Sequence, residues 1–152
     1  MAFRTLIAGC GLAVLLAASV ASAEPGIKIA PASSPPAVDA RTRVALHDAV
    51  ADDLANSGAA TALDGYTLFP QLVELRRFAE GKGKPTLVCV VELVVVNGAG
   101  DIVARTRASA NSQTASQKET LDAAAQAATA RLALSLDALS RAETRGKAVA
   151  RR

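Results

Sequence analysis

Hydrophobic residues recur with a helical period in two stretches of the chain, and these stretches flank a central region with the pattern of β-strands. The first helix is predicted from about Ala40 to Ser57, with Asp39 as its N-cap and Gly58 as the left-handed residue that ends it. A helical wheel separates an apolar side from a polar one, which indicates one buried face. The apolar side holds Val44, Leu46, Val50, Ala51 and Leu54, and the polar side holds Asp48, Asp52 and Asn56.

The central region predicts a meander of three antiparallel strands. The stretch from Thr86 to Val96 is almost continuously apolar and rich in β-branched residues, which is typical of a central strand. A turn at residues 97–100 leads into a strand over 101–111. A strand over 72–78 comes first, and a loop rich in glycine and lysine at 80–84 joins it to the central strand.

The register of the second hairpin is predicted from the alternation of apolar and charged residues. Pairing Val96 with Asp101 places Glu92 opposite Arg105, with charged residues on one face and apolar residues on the other. The same register pairs Val90 with Arg107, Val94 with Val103, Val95 with Ile102, Leu93 with Ala104 and Cys89 with Ala108. On the first strand of the meander, Val73 and Leu75 face the apolar side, and Glu74 and Arg76 face the charged side.

The second helix opens with a capping box formed by Ser116 and Glu119, and it continues to about Arg141. The alanines of its apolar stripe allow it to lie close to a sheet. The fold class is therefore predicted as α+β: a three- to four-stranded antiparallel meander with two helices packed on one face, in the order (β)-α-β-β-β-α. The stripe consists of Leu121, Ala124, Ala125, Ala128, Leu132, Leu136 and Leu139.

Residues 1–23 have the layout of a secretory signal peptide. Arg4 supplies the positive charge, Leu6 to Ala18 form the apolar core, and residues 21–23 are an A-x-A cleavage signal. The apolar run is shorter than the about 20 residues of a membrane span. We therefore expect cleavage near Ala23/Glu24, no transmembrane segment afterwards, and a periplasmic or secreted protein.

A second interpretation of the signal is a lipoprotein anchored at Cys10, because small residues precede this cysteine. Most of the apolar stretch follows Cys10, however, and lipidation there would leave a hydrophobic stub on the mature chain. This order favours cleavage after Ala23.

Composition and charge divide the remaining chain into three parts. Residues 24–39 are predicted as a proline-rich linker with at most a brief edge strand at 27–30, residues 40–141 as a single α+β domain, and residues 142–152 as a basic disordered tail. Residues 24–140 carry 11 basic and 13 acidic side chains. The excess positive charge of the chain therefore belongs to its C-terminal end, which holds Arg141, Arg145, Lys147, Arg151 and Arg152.

Candidate catalytic residues are few, because cleavage leaves one cysteine, Cys89, and one histidine, His47. With both facing the space between helix and sheet, His47 would serve as a general base for the thiol. The simpler interpretation is a buried cysteine and a histidine at the edge of the core. One histidine beside Asp48, Asp52 and Asp53 has no recognised ligand spacing, so neither a metal site nor another cofactor is predicted.

Candidate binding residues lie on the charged sheet face and in the tail. On the sheet face the alternative role of Glu92 and Arg105 is a structural cross-strand ion pair. The tail would attract an anionic envelope component or an acidic protein. Aromatic residues make up only 3 % of the chain, which argues against nucleic acid as a partner. The sheet-face candidates are Glu92, Arg105, Arg107 and Arg76, and the tail candidates are the five basic residues named above.

The element order over 40–141 resembles small exported α+β modules of the bacterial envelope, such as the domain of curli-secretion lipoproteins and penicillin-binding-protein activators. No sequence motif accompanies this resemblance, so it implies a fold and carries over no site residue. We expect a small exported non-enzymatic envelope protein that acts as a protein-interaction module. The competing hypothesis is an enzyme or small-ligand carrier with a pocket between helices and sheet, using Cys89 and His47.

Overall fold

The structure is a computed structural model that describes residues 26–79 and 84–149, with side chains described for all of these except 139, 140 and 142–149. The predicted signal peptide lies outside the described residues. The elements in chain order are β1 (Lys28–Ile29), α1 (Ala40–Ser57), α2 (Ala59–Ala62), β2 (Thr67–Phe78), β3 (Thr86–Val96), β4 (Ile102–Ser112) and α3 (Gln117–Val149).

The four strands form one sheet in the order β1-β2-β3-β4, and α1 and α3 lie side by side on one of its faces. Strands β2 to β4 are the antiparallel meander, whereas β1 pairs with β2 in parallel and makes the sheet mixed. α3 packs on β3 and β4, and α1 packs on β2. The predicted α+β class and layering are confirmed, with the short helix α2 as an addition.

The first helix has the predicted bounds and caps. Asp39 Oδ1 accepts a hydrogen bond of 2.7 Å from the Thr42 amide, and Gly58 ends the helix in the left-handed conformation with φ of 68°. The prediction was wrong for Val44, which is 60 % exposed, because the buried residues of α1 recur at four-residue spacing along a stripe that does not include it. That stripe consists of Thr42, Leu46, Val50 and Leu54.

The predicted register between β3 and β4 was wrong by two residues over most of the hairpin. Val96 pairs with Ile102 rather than Asp101, and a bulge next to it sets Val95 opposite Ala104. The turn contributes one residue of the shift and the bulge contributes the second. From Ala104 onward the shift is therefore two residues and each side chain keeps its predicted face, whereas Ile102, shifted by one residue, lies opposite Val96 instead of Val95. Glu92 is consequently opposite Arg107, and Cys89 is opposite Ala110.

Strand β2 begins five residues earlier than predicted, because Pro70 does not interrupt it. The Pro70 carbonyl accepts a hydrogen bond from the Ser33 amide at 3.0 Å, so it points away from β3. The nitrogen of Pro70, which has no hydrogen to donate, points to the same side, and pairing with β3 therefore continues through this residue. A bulge at Val73 leaves this residue without a partner in the ladder. Leu72 and Leu75, rather than the predicted Val73 and Leu75, therefore contact the core.

The segment before α1, predicted as a linker, runs along the outer edge of β2. The Lys28 and Ala30 amides donate to the carbonyls of Tyr66 and Leu68, and the Leu72 amide donates to the Ser33 carbonyl at 2.8 Å. Ala32 is a member of the core. Backbone pairing thus holds this proline-rich segment against the sheet, including the brief edge strand that the sequence predicts.

Helix α3 starts with the predicted capping box, in which the Ser116 amide donates to Glu119 Oε2 at 2.6 Å and the Glu119 amide donates to Ser116 Oγ at 3.2 Å. The helix extends to Val149, roughly two turns beyond the predicted end near Arg141. Residues 142–149 of the predicted disordered tail are therefore helical. No described helix is long and apolar enough to cross a membrane.

The core lies between the two long helices and the sheet. Leucine side chains from α1 and β2 meet valines of β3, and alanines of α3 allow close packing. Two threonines differ within this core: Thr106 Oγ1 donates to the Ala128 carbonyl at 3.2 Å, whereas Thr129 Oγ1 has no hydrogen-bond partner among the described residues. The fully buried large side chains include Leu46, Leu54, Leu68, Leu93, Leu121 and Leu132.

Candidate functional site

The sheet face opposite the helices, which we call the outer face, collects the four predicted binding residues. Glu92 projects from β3, Arg105 and Arg107 from β4, and Arg76 from β2. Among the described residues no helix packs on this face. The alternation of each strand therefore presents these charged side chains on one surface.

Glu92 and Arg105 form the ion pair that was the alternative interpretation of their role. Arg105 Nε lies 3.7 Å from Glu92 Oε1, although the pair is diagonal and not directly opposed. The Arg105 side chain is 58 % exposed and that of Glu92 is 17 % exposed. Water screens such a pair strongly, so it stabilises the fold only weakly.

Arg76 and Arg107 differ in how their charges are held. Arg76 Nε contacts the Glu74 carboxylate, and the Arg76 guanidinium lies 5.4 Å from the centre of the Phe78 ring. Arg107 is directly opposite Glu92 in the ladder, but no salt bridge to its guanidinium occurs within the described part of the chain. Arg107 is thus the outer-face cation most available to a partner.

The outer face also exposes large apolar side chains. Val90 and Val94 are buried at its centre by their neighbours, whereas Phe69 is 38 % exposed and Ile102 is 59 % exposed. Phe69 is opposite Val94, and Ile102 is opposite Val96, so both exposed residues lie on this face. Charge and exposed apolar area therefore occur together here, as they do in protein interfaces.

Only part of the basic tail can be placed. Arg141 Nη2 lies 2.5 Å from Asp137 Oδ2 one turn earlier in α3. Arg145 and Lys147 belong to the stretch of α3 without described side chains, and Arg151 and Arg152 lie outside the described residues. A binding role for the tail stays a prediction.

Cys89 and His47 do not form a catalytic pair. Cys89 is fully buried in β3 beneath α3, and burial raises the pKa of its thiol to about 11. His47 lies on α1 with its Nδ1 3.3 Å from Asp48 Oδ1, and no hydrogen bond among the described residues joins it to Cys89. A thiol that is buried and almost entirely protonated reacts slowly.

The interior also gives no support to the pocket that the enzyme or ligand-carrier hypothesis requires. Fully buried side chains of β3 and α3 occupy the space between sheet and helix, among them Cys89, Val91, Ala125 and Ala128. Within residues 26–79 and 84–149 no three histidine, cysteine or carboxylate side chains are grouped for a metal ion.

A groove between α1 and the first turns of α3 was missed by sequence reasoning. We call it the acidic groove; its volume is about 710 Å³ and it has an apolar floor. Asp53 at its rim has a raised pKa, because of burial first and then the charges of Asp122 and Asp52. The groove is lined by the apolar residues Ala40, Val44, Ala45 and Ala49, by the acidic residues Asp48, Asp52, Asp53 and Asp122, and by the cations Arg41 and Lys118.

The sequence showed only the acidic residues that α1 contributes to this groove. Three aspartates on α1 were visible, but consecutive helical acids mostly mark a solvated surface. Asp122 is distant from them in sequence, and it lies beside the α1 aspartates only because α1 packs against α3.

No family sequence model matches the chain, and no curated protein sequence does. Three solved structures resemble it in fold. The PelC dodecamer from Paraburkholderia phytofirmans matches with a TM-score of 0.55 at 13% identity, over 68% of this chain and 84% of that chain. A Xanthomonas campestris protein of family DUF330 matches with a TM-score of 0.56 at 15% identity, over 79% and 88%. The protein CT253 from Chlamydia trachomatis matches with a TM-score of 0.54 at 7% identity, over 74% and 98%.

Identities this low show a common fold and nothing more, since one fold serves many functions. The similarity confirms that the arrangement of sheet and helices occurs in other bacterial proteins. It assigns no activity and no functional residue to this chain.

Proposed function

We propose that this chain is a small exported, non-enzymatic protein of the cell envelope that binds another envelope protein through its outer face. The observation that carries the proposal is the asymmetry of the sheet. Helices cover one face, while the other leaves Phe69, Ile102 and Arg107 exposed. The predicted signal peptide at residues 1–23 supports export.

The edges of the sheet offer a partner less than its outer face does. β1 has only two residues and is followed by Pro31, so it presents little backbone for strand addition. At the other edge Arg131 Nη1 donates a hydrogen bond of 2.6 Å to the Arg107 carbonyl on β4. This contact occupies an acceptor that an added strand would need.

The chemistry of the outer face supports a partner of complementary chemistry. Phe69 and Ile102 supply apolar area, and Arg107 supplies a cation without a salt bridge in the described structure. Aromatic and arginine side chains are the residues that most often dominate binding energy at interfaces. We therefore expect a partner surface that pairs a carboxylate with an apolar patch.

Site-specific photo-crosslinking tests this proposal. A photoreactive residue at position 69 or 107 should capture a defined protein from a cell-envelope extract, whereas the same residue at Gln126, exposed on α3, should not. Arg107→Glu should reduce the yield at position 69 at least ten-fold, with an unchanged circular dichroism spectrum. Equal capture at all three positions, or capture at Gln126 alone, would refute an outer-face interface.

A further inference from the structure

The acidic groove has the composition of a docking site for a cationic segment. Val44 is 60 % exposed on its floor although it is a large apolar residue, and Ala45 and Ala49 extend the floor along α1. Aspartates rim the floor on both helices. An occupant with basic side chains and apolar stretches would cover the floor and place its charges against the rim.

The rim carries more negative charge than its own cations neutralise, because four aspartates line the groove and only Arg41 and Lys118 oppose them. Lys118 Nζ lies 2.6 Å from Asp122 Oδ2, and within the described part of the chain no salt bridge reaches Asp52 or Asp53. Asp52 and Asp122 both raise the pKa of Asp53, which shows how closely the carboxylates are grouped. A further cation at the rim would relieve this repulsion.

The C-terminal end of the same chain is the complementary segment. Arg145, Lys147, Arg151 and Arg152 lie there with Ala148, Val149 and Ala150 between them, and we call these residues together the basic end. Arg141 is excluded from the set because Asp137 already pairs with it. The sequence thus contains both an acidic, apolar-floored groove and a basic segment with apolar residues.

The basic end cannot reach the groove of its own molecule. The groove lies at Lys118 and Asp122 in the first turns of α3, and this helix continues to Val149. At 1.5 Å per residue the helix carries the chain about 40 Å away from Asp122. Three further residues span at most about 11 Å even when fully extended.

We propose that the basic end of one copy docks in the acidic groove of a second copy, so that the protein associates head to tail. Each molecule then offers one groove and one basic end. Such a contact is heterologous and leaves a free groove and a free end on every dimer, so assembly continues until a ring closes or a fibre forms. The outer face takes no part in this contact.

Sedimentation velocity on the exported chain tests the proposal. At about 0.1 M salt the protein should associate as its concentration rises, and about 1 M salt, where the Debye length falls to about 3 Å, should dissociate it. Asp52→Lys should weaken association at least ten-fold. The matched reversal Asp64→Lys, exposed outside the groove, should change it less than two-fold.

A mixing experiment distinguishes this head-to-tail contact from a symmetric contact between two copies. A full-length variant with a neutral end and the Asp52→Lys variant should each be monomeric. Their mixture retains one intact groove and one intact basic end, so it should form a one-to-one complex that grows no further. The neutral-end variant carries Arg145→Gln, Lys147→Gln, Arg151→Gln and Arg152→Gln.

Three outcomes would overturn the inference: a wild-type protein that stays monomeric up to about 1 mM at low salt, association that survives Asp52→Lys, or a mixture that does not pair. Association that survives Asp52→Lys but is lost in Arg107→Glu would assign the contact to the outer face. That result would refute the head-to-tail contact and leave the proposed function standing.

Discussion

Labelling of Cys89 by a maleimide distinguishes a packed core from a reactive site. A thiol with a pKa of about 11 is about 0.1 % thiolate at pH 8, compared with about 10 % for a thiol at the reference value of 9.0. Ionisation alone therefore slows direct attack about 100-fold. If the reagent must instead await unfolding, a stability of about 5 kcal/mol slows labelling by more than 1,000-fold.

We expect the native protein at pH 8 to be labelled at least about 100-fold more slowly than the same chain in denaturant. His47→Ala should leave the native rate unchanged, because His47 and Cys89 have no hydrogen bond. A native rate within ten-fold of the unfolded rate, or a rate that falls in His47→Ala, would show that the thiol is accessible and activated. The enzyme hypothesis would then return.

The same pKa has a consequence for stability at high pH. The folded state holds the Cys89 proton up to about pH 11, whereas the unfolded chain releases it near pH 9. Folding therefore binds a proton in this window, and stability falls as the pH rises through it. Relative to Cys89→Ala, measured by urea unfolding, the wild-type protein should lose roughly 2 to 3 kcal/mol between pH 8 and 11.

Three further predictions concern the outer face, the core and processing. Glu92→Gln should cost at most about 1 kcal/mol in urea unfolding, and a loss of several kcal/mol would show that the outer face is covered. Thr129→Val should raise the free energy of unfolding by about 1 kcal/mol, because it removes a buried hydroxyl without a partner. Thr106→Val should lower the free energy of unfolding by a similar amount. A change of the same sign in both variants would contradict this prediction. The intact mass of the exported protein should correspond to cleavage after Ala23, and a lipid-modified Cys10 at the N-terminus would contradict it.

Local signals predicted the helices well because their caps are encoded in neighbouring residues. Asp39, Gly58 and the Ser116–Glu119 capping box define their helix ends through contacts within three or four residues. The end near Arg141 was wrong because it rested on the last apolar residue alone. Neither proline nor a glycine C-cap stands there, and Arg141 pairs with Asp137 one turn earlier in the helix.

Errors in the sheet came from features that only the assembled structure fixes. The bulge leaves Val103 of β4 without a partner, and nothing in the apolar run Ile102–Ala104 signals it, so the register could not be predicted to the residue. The strand predicted over 72–78 begins at Thr67, and the sequence does not show which side of β2 the missing N–H of Pro70 faces. The faces predicted for β3, and for β4 from Ala104 onward, were still correct, since a two-residue shift preserves them.

The acidic groove could not be predicted for a similar reason. It requires Asp122 of α3 to lie beside Asp52 and Asp53 of α1, and that proximity is a product of helix packing. The sequence favours a solvated surface for the α1 acids, which is correct for an isolated helix. The candidates on the outer face could be predicted from the sequence, because the alternation of side chains along adjacent strands is enough to group them on one face.

The hydrogen bond from Arg131 protects the β4 edge of the sheet only once α3 has docked. That protection therefore depends on the order in which the parts of the chain emerge. A secreted chain leaves the membrane with its N-terminal part first, so β2, β3 and β4 are outside before α3 is complete. Until α3 docks, the Arg107 carbonyl and its neighbours form a bare edge on which strands of other molecules can add. Under the proposed export, the interval between emergence of Ser112 and of Arg131 is therefore the stage at which the chain is most prone to aggregate, and a chaperone that holds the strands apart would act then.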